Sequence, residues 1–415
     1  MTTRASHMWL NRGLVLLGRG SAGLLPLVVF GWVSRQSGLT ALGEFASVYM
    51  LAQSVAEIAD FVAQRHVSRL VASGLVGDAL QTRLAGFNAL RLSTLGLTLV
   101  LALVANRVGL GSGDVWLDLA ILALAPWVFA TNTYYAAALA LNRYLLIGLG
   151  PSVCLVVTTI LMLVLPQVSL LSGVWAVVVS IHAAKACETL LLGVRLPHPA
   201  LTSRREWALR EWIQTRFLFF QGALSAANAR LIVPLLSVAG GAQAAGLLSI
   251  GLSVLAITSL FSVAITLPAY REVLNLEPPD SPVAAWRLAK RDWVTGAWIG
   301  LVVTVGLCVL VAWPLAPVLG VTGRETRLAV SLIVLGGVFE SLNLFGGALY
   351  HACHQDRRLF RLSVVTMCLN WIGAITGVKA GAAVGMAGGL LASRAVGALV
   401  LYFPILVARR RSGWV

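Results

Sequence analysis

LNRGLVLLGRGSAGLLPLVVFGWVSRQSGLTALGEFASVYMLAQSVAEIADFVAQRHVSRL, residues 10–70, reads as two long apolar helices joined by a short glycine-containing turn. Each is long enough to cross a hydrocarbon core of about 30 Å, which takes about 20 residues. The first carries Arg12 and Arg19, and the second carries Gln53, Glu57, Asp60 and Gln64. A charge at the bilayer centre costs at least about 2.5 to 3.5 kcal/mol, so such residues face one another or a water-filled path. At about 100° per residue, the two arginines share one helix face and the four polar residues share another. Two such stripes on neighbouring helices predict a wet seam.

The rest of the chain has the same character. Of its 415 residues 58% are hydrophobic and only 11% charged, against about 45–50% and about 25% in soluble domains. The predicted fold class is therefore an all-α polytopic membrane protein. Its expected spans are Trp9–Val33, Ala41–Val71, Phe87–Val104, Trp116–Leu141, Gly148–Val164, Ser172–Val194, Ile213–Val238, Gly241–Ala269, Trp293–Leu315, Arg327–Leu349, Ser363–Val378 and Ala382–Val407. That makes about twelve.

The net charge of +15 lies largely in short loops, where basic residues set topology rather than bind nucleic acid. Alternate loops separate about nineteen Lys and Arg from about five. The rich side includes Arg65, Arg69, Arg204, Arg205 and Arg409 to Arg411; the poor side holds Arg35, Arg107, Arg324, Arg327 and Lys379. Both termini are thus expected in the cytoplasm. The first apolar run, interrupted by Arg19, is expected to remain as a helix rather than be removed as a signal peptide.

The halves look duplicated. Arg12 opens the first helix and Arg216 the seventh, and each is followed by a glycine turn and a long helix ending in basic residues. Six helices per repeat make the repeats parallel, with the binding site at their interface. The expected division is an N-lobe of helices 1–6 (1–195), an interfacial linker on the cytoplasmic side (196–212) and a C-lobe of helices 7–12 (213–415), the lobes flanking a central cavity. The linker holds Ser203 and Glu206 at capping-box spacing, followed by Trp207, Arg210 and Trp212.

No nucleotide-binding glycine loop and no zincin motif occurs, so no catalytic residue, metal ligand or cofactor is assigned. The cysteines Cys154, Cys187, Cys308, Cys353 and Cys368 show no paired spacing. His351, Cys353, His354 and Asp356 cluster in sequence without a recognised ligand spacing. The energy source is expected to be a proton or sodium gradient, or the substrate's own.

Charges inside the spans carry the functional signal, and cations outnumber acids. At 1.5 Å per residue Arg19 sits about 15 Å into the first span and Arg230 about 25 Å along the seventh. Arg12, Arg19, Arg216 and Arg230, with Gln53 and Asn228, are the expected substrate-binding set. Arginine forks grip phosphate oxygens, so this set points to an anionic substrate. Glu57, Asp60, Lys185, Glu188 and Glu340 are expected to act as coupling groups or structural ion pairs. Two readings of Arg19 stay open: receptor for an anion, or partner of Glu57 or Asp60. Lys185 and Glu188, three residues apart, suit a buried pair.

At Gly43-Glu44-Phe45, with Asp60-Phe61 and Arg65 to Arg69 beyond, the chain resembles the polysaccharide transporter family, the Wzx-type flippases. Ala46 and Val62 stand where that family's pattern has glycine, and the motifs span roughly the first 75 residues. The twelve-helix plan extends the likeness to the multidrug/oligosaccharidyl-lipid/polysaccharide exporter superfamily. The resemblance implies alternating access that carries an undecaprenyl-diphosphate-linked oligosaccharide across the bacterial inner membrane, for O-antigen or exopolysaccharide synthesis. The implied partners are that lipid-linked glycan, the bilayer, and a polysaccharide polymerase with its chain-length machinery. Two alternatives remain: a multidrug or metabolite exporter of the same superfamily, and a membrane-embedded glycan polymerase or glycosyltransferase.

Reporter fusions test the topology. Fusions within 196–212 and after Arg411 should report the cytoplasm; either one on the other face breaks both the repeat and the flippase reading.

Overall fold

The computed structural model describes residues 2–59, 113–140, 143–168, 171–195, 205–275, 282–353 and 355–411, with isolated positions between 96 and 107. Asp60, almost all of the expected span Phe87–Val104 and the linker up to residue 204 lie outside the described residues, as do the side chains of Arg12, Gln214 and Gln221. The described residues are helical with no strand. In the absence of water a backbone must satisfy its own hydrogen bonds, and a helix does so within one segment.

The helical run Thr2–Ala59 is broken at Gly38, where φ is 85° and ψ 170°; we call its parts α1 (2–37) and α2 (39–59). There follow α3 (Val115–Leu122), α4 (Leu124–Ala140), α5 (Tyr144–Val168) and α6 (Gly173–Arg195). Next, α7 (Arg205–Ala226) runs through a π-helical turn, Ala227–Leu231, into α8 (Ile232–Gly240). The remainder comprises α9 (Ala242–Asn275), α10 (Pro282–Ala312), α11 (Arg324–Leu335) and α12 (Gly337–Ala352). A last run, Asp356–Arg411, is broken at Gly381 and Ala382 into α13 (356–380) and α14 (383–411).

Among the described residues, eight stretches are long and apolar enough to cross a membrane. Two of them, Gly13–Ile58 and Arg357–Phe403, contain the breaks just given and are each a helix pair. A shorter apolar stretch, Ala242–Thr258, begins α9. Every expected span except Phe87–Val104 therefore falls at least in part on described helix, with residues 60–71 of Ala41–Val71 outside the described residues. The chain is an all-α polytopic membrane protein.

By packing, the chain divides into two compact units, Met1–Val29 with Glu44–Val238, and Phe30–Gly43 with Ala239–Val415. In the first unit, α1 lies against α5 at near-backbone contact. Gly18 faces the Ile147 carbonyl, Gly148 faces the Leu14 carbonyl, and the Ser21 and Ser152 hydroxyls are 2.9 Å apart. Ala138, Leu146 and Leu192 join α4, α5 and α6 in a small core flanked by Tyr134 and Tyr135. The Asp114 carboxylate caps α3, accepting from the Trp116 and Leu117 amides at 3.0 and 3.2 Å.

In the second unit the two glycine turns that suggested duplication take the same conformation. Gly38 and Gly241 have φ of 85° and 84°, left-handed values that favour glycine. Beyond each turn a second glycine lets backbones touch: Gly43 lies on the Ala242 carbonyl, and Gly246 lies on the Leu39 carbonyl. The glycine of Gly43-Glu44-Phe45 is thus a packing residue, because a Cβ there would occupy the position of the Ala242 backbone.

Glycines on either side of the break at Gly381 pack against each other within the chain. Gly377 meets the Gly385 carbonyl and Gly389 meets the Gly373 carbonyl, so α13 and α14 approach at the distance glycine permits. Tyr402 donates to the Leu342 carbonyl at 2.7 Å and Tyr350 to the Leu401 carbonyl at 3.1 Å, tying α14 to α12. Large apolar side chains on the outside, among them Val302, Val309, Ile372, Leu399 and Phe403, are exposed, as a lipid-facing surface requires.

Overpacking costs about 1–3 kcal/mol, so Gly377→Val or Gly389→Val should force α13 from α14 and lower the midpoint of thermal unfolding in detergent by several degrees. Gly388→Ala, whose added carbon meets nothing within 4 Å, should leave it unchanged.

Candidate functional site

In the first unit, polar side chains converge from α2, α4, α5, α6 and the turn after α7. Arg230, on that turn, forms an ion pair with Glu57 of α2. Both are partly open, with side-chain exposures of 25% and 38%. One and two turns before Glu57 on the same face of α2 stand Gln53, half-buried, and Tyr49, 3% exposed. Their side chains are hydrogen-bonded to each other, and the charges of Lys185 and Arg230 both reach the Tyr49 phenol.

The turn that carries Arg230 is wider than an α-turn, and Pro234 accounts for it. Proline lacks an N–H, and its ring crowds the carbonyl four residues earlier, which here belongs to Arg230. The helix relaxes this conflict by opening to π geometry over Ala227–Leu231, a distortion frequent at functional sites. Asn228, half-buried, lies in the same turn. Regular spacing places Arg230 on the face of Arg216, but the π turn interrupts the α pitch between them, so that shared face does not follow from spacing.

Deeper in the unit, Lys185 Nζ lies 2.6 Å from Glu188 Oε2. Tyr135 of α4 donates its phenolic hydrogen to Glu188 Oε1. Glu188 is fully buried, and Cys154 of α5 lies within reach of both charges. Nearby, the His182 ring donates to the Ala120 carbonyl at 2.8 Å, beside the break between α3 and α4. A carboxylate accepting from an ammonium and a phenol has both oxygens satisfied, which buried charge demands.

The sequence-predicted residues therefore separate. Glu57 and Arg230 are brought together, as are Lys185 and Glu188; Gln53 and Asn228 belong to the elements of the first pair. Arg19 on α1 and Arg216 on α7 are exposed, and Gly18 beside Arg19 is buried against α5. Glu340 belongs to the second unit, half-buried on α12, with its charge reaching buried Arg394 of α14. Arg394 donates weakly, at 3.4 Å, to the Ile333 carbonyl beside the break at Gly336. Of the histidine–cysteine segment, the side chains of His351, His354 and Asp356 lie outside the described residues. Just past α12, burial pushes the Cys353 thiol up to about 11.

Tyr49 and Tyr135 were missed by reading charge alone. The signal for Tyr49 was its place on the Gln53–Glu57 stripe; Tyr135 meets Glu188 across 53 positions of chain, and no local pattern announces it.

No family model and no curated protein matches the chain. Solved structures do. The lipid II flippase MurJ in an inward closed conformation superposes with a TM-score of 0.65 at 14% identity, covering 94% of this chain and 87% of that one. A mutant of the Vibrio cholerae MATE transporter VcmN gives 0.61 at 14%, covering 99% and 98%. A MOP superfamily transporter from Pyrococcus furiosus, described as having a binding pocket of reverse polarity, gives 0.60 at 12%, covering 96% and 94%. At these identities the likeness establishes the fold.

Lys185→Met leaves Glu188 buried without its cation, a loss of about 3–5 kcal/mol. Folded yield in membranes should fall sharply, and Lys185→Met with Glu188→Gln should recover most of it. Fluorescence-detected size exclusion measures both.

Proposed function

With the fold of the MOP superfamily transporters as premise, we propose that this chain is a flippase that moves a polyprenyl-diphosphate-linked oligosaccharide from the inner to the outer leaflet of a bacterial cytoplasmic membrane. The observation that carries the reading is the exposure of cations on membrane-spanning helices. Arg19 and Arg216 are exposed and Arg230 is partly so. A cation exposed on a membrane-spanning helix is costly, and it is maintained where function needs it. A diphosphate presents oxygens at the spacing guanidinium forks match, while its polyprenyl tail can stay in lipid.

No bond is made or broken in this reading. The chain binds the lipid-linked glycan with Arg12, Arg19, Arg216 and Arg230, assisted by the amides of Gln53 and Asn228, and alternates between inward and outward access. The N-lobe and C-lobe division at 196–212, with both termini cytoplasmic, belongs to this proposal. A polymerase with its chain-length machinery would receive the product, and a proton or sodium gradient would set the direction. An exporter of cationic drugs would instead need acidic lining, and Glu57, an acid on the same elements, is already met by Arg230.

Flipping of a fluorescent polyprenyl-diphosphate oligosaccharide in proteoliposomes tests this. Arg19→Ala should cut the rate at least about tenfold, a loss of about 1.4 kcal/mol, at unchanged abundance, and Arg19→Lys should retain an intermediate rate. Arg324→Ala, at the far loop, should have little effect. Full rescue of Arg19→Ala by Asp60→Asn, or a greater loss from Arg324→Ala, would overturn the assignment.

A further inference from the structure

The ion pairs Lys185–Glu188 and Arg230–Glu57 of the first unit differ in a way that assigns them different work. Lys185 and Glu188 are enclosed, with side-chain exposures of 16% and 1%, and Glu188 also accepts from Tyr135. Arg230 and Glu57 are open, at 25% and 38%. The second pair is the more accessible to a ligand, while in the first the Glu188 carboxylate is closed off.

An anion that reaches Arg230 must displace the carboxylate already there. Among the described residues, the groups that would then surround Glu57 offer little replacement. Tyr49 and Gln53, on the same helix, are neutral and hydrogen-bonded to each other. Lys185 of α6 is committed to Glu188 at 2.6 Å. Asn228 of the π turn is neutral, and the cations Arg19 and Arg216 belong to the anion-binding set proposed above. Glu57 lies on a membrane-spanning helix, where a carboxylate without a counter-charge is stabilised by accepting a proton.

We propose that the substrate's diphosphate and Glu57 compete for Arg230, and that each diphosphate bound there is accompanied by one proton taken up by the released Glu57 carboxylate. The proton comes from solvent, the Arg230 guanidinium stays charged throughout, and the only bond made is the carboxyl O–H. Departure of the diphosphate returns Arg230 to Glu57 and expels the proton, so substrate and proton travel outward on the same stroke, and of the two gradients named above the sodium gradient is then the one that sets the direction. This rests on the lipid-diphosphate reading and adds to it a proton and the residue that carries it.

The test is calorimetric titration of the full chain in nanodiscs with a farnesyl-diphosphoryl sugar, whose doubly esterified diphosphate does not itself titrate near neutral pH. Runs in two buffers of different ionisation enthalpy count protons. The wild type should take up about one proton per ligand, its affinity falling up to about tenfold for each unit the pH rises. Glu57→Gln should bind at least as tightly, take up none and show flat affinity between pH 6 and about 8. Proton-neutral binding by the wild type, which requires no variant to fold, overturns the proposal while leaving the lipid-diphosphate reading intact. So does undiminished uptake in Glu57→Gln. A wild type that does not bind the probe at any pH overturns both.

Discussion

A guanidinium and a carboxylate meeting within a membrane-spanning bundle is the constraint around which the first unit is arranged. Each is costly there without a counter-charge, and their meeting holds α2 against the turn that follows α7. The same requirement recurs more deeply at Glu188, where one carboxylate collects an ammonium and a phenol from two helices. Smaller polar groups follow it locally: Ser54, Thr159 and Ser180 each turn back to the carbonyl four residues earlier. In these cases polar chemistry enters the unit with its partner, and the partners of Glu57 and Glu188 tie helices together.

The second unit meets the bilayer's demands by other means. Its close approaches are backbone on backbone, through Gly43 and Gly246 near the turns and through Gly373, Gly377, Gly385 and Gly389 in the last hairpin. Where α11 gives way to α12, the Arg394 guanidinium sits against Gly336 and reaches the Ile333 carbonyl, a cation at the negative end of a helix. Among the described residues, van der Waals contact between helices is what these glycines contribute there.

The architecture was legible because it follows from bulk properties. Runs of about 20 apolar residues can do little else than span a bilayer, and the glycine turns at Gly38 and Gly241 marked where paired helices reverse. Lys185 and Glu188 were legible because three residues on a helix are neighbours. The partner of Glu57 was not, since spacing ranks residues on one helix and says nothing of which helix lies opposite. The acid on the stripe facing Arg19 in sequence meets an arginine 173 positions from itself. Tyr135 escaped for the same reason, and also because a tyrosine in an apolar run reads as core until its hydroxyl is seen to have a destination.

Pro234 and the widened turn before it mean that the seventh span has two rulers. A π turn holds one residue more than an α turn, so positions beyond Leu231 are rotated by about 100° relative to those before Ala227. Faces counted from Arg216 forward and from Gly240 backward do not agree, and the discrepancy is absorbed where Asn228 and Arg230 lie. A single-residue change in length within this segment would therefore act as a rotation rather than a shift. It would turn one end of the helix while leaving the other in its packing, which makes the register of this span, as much as its composition, a heritable property of the site.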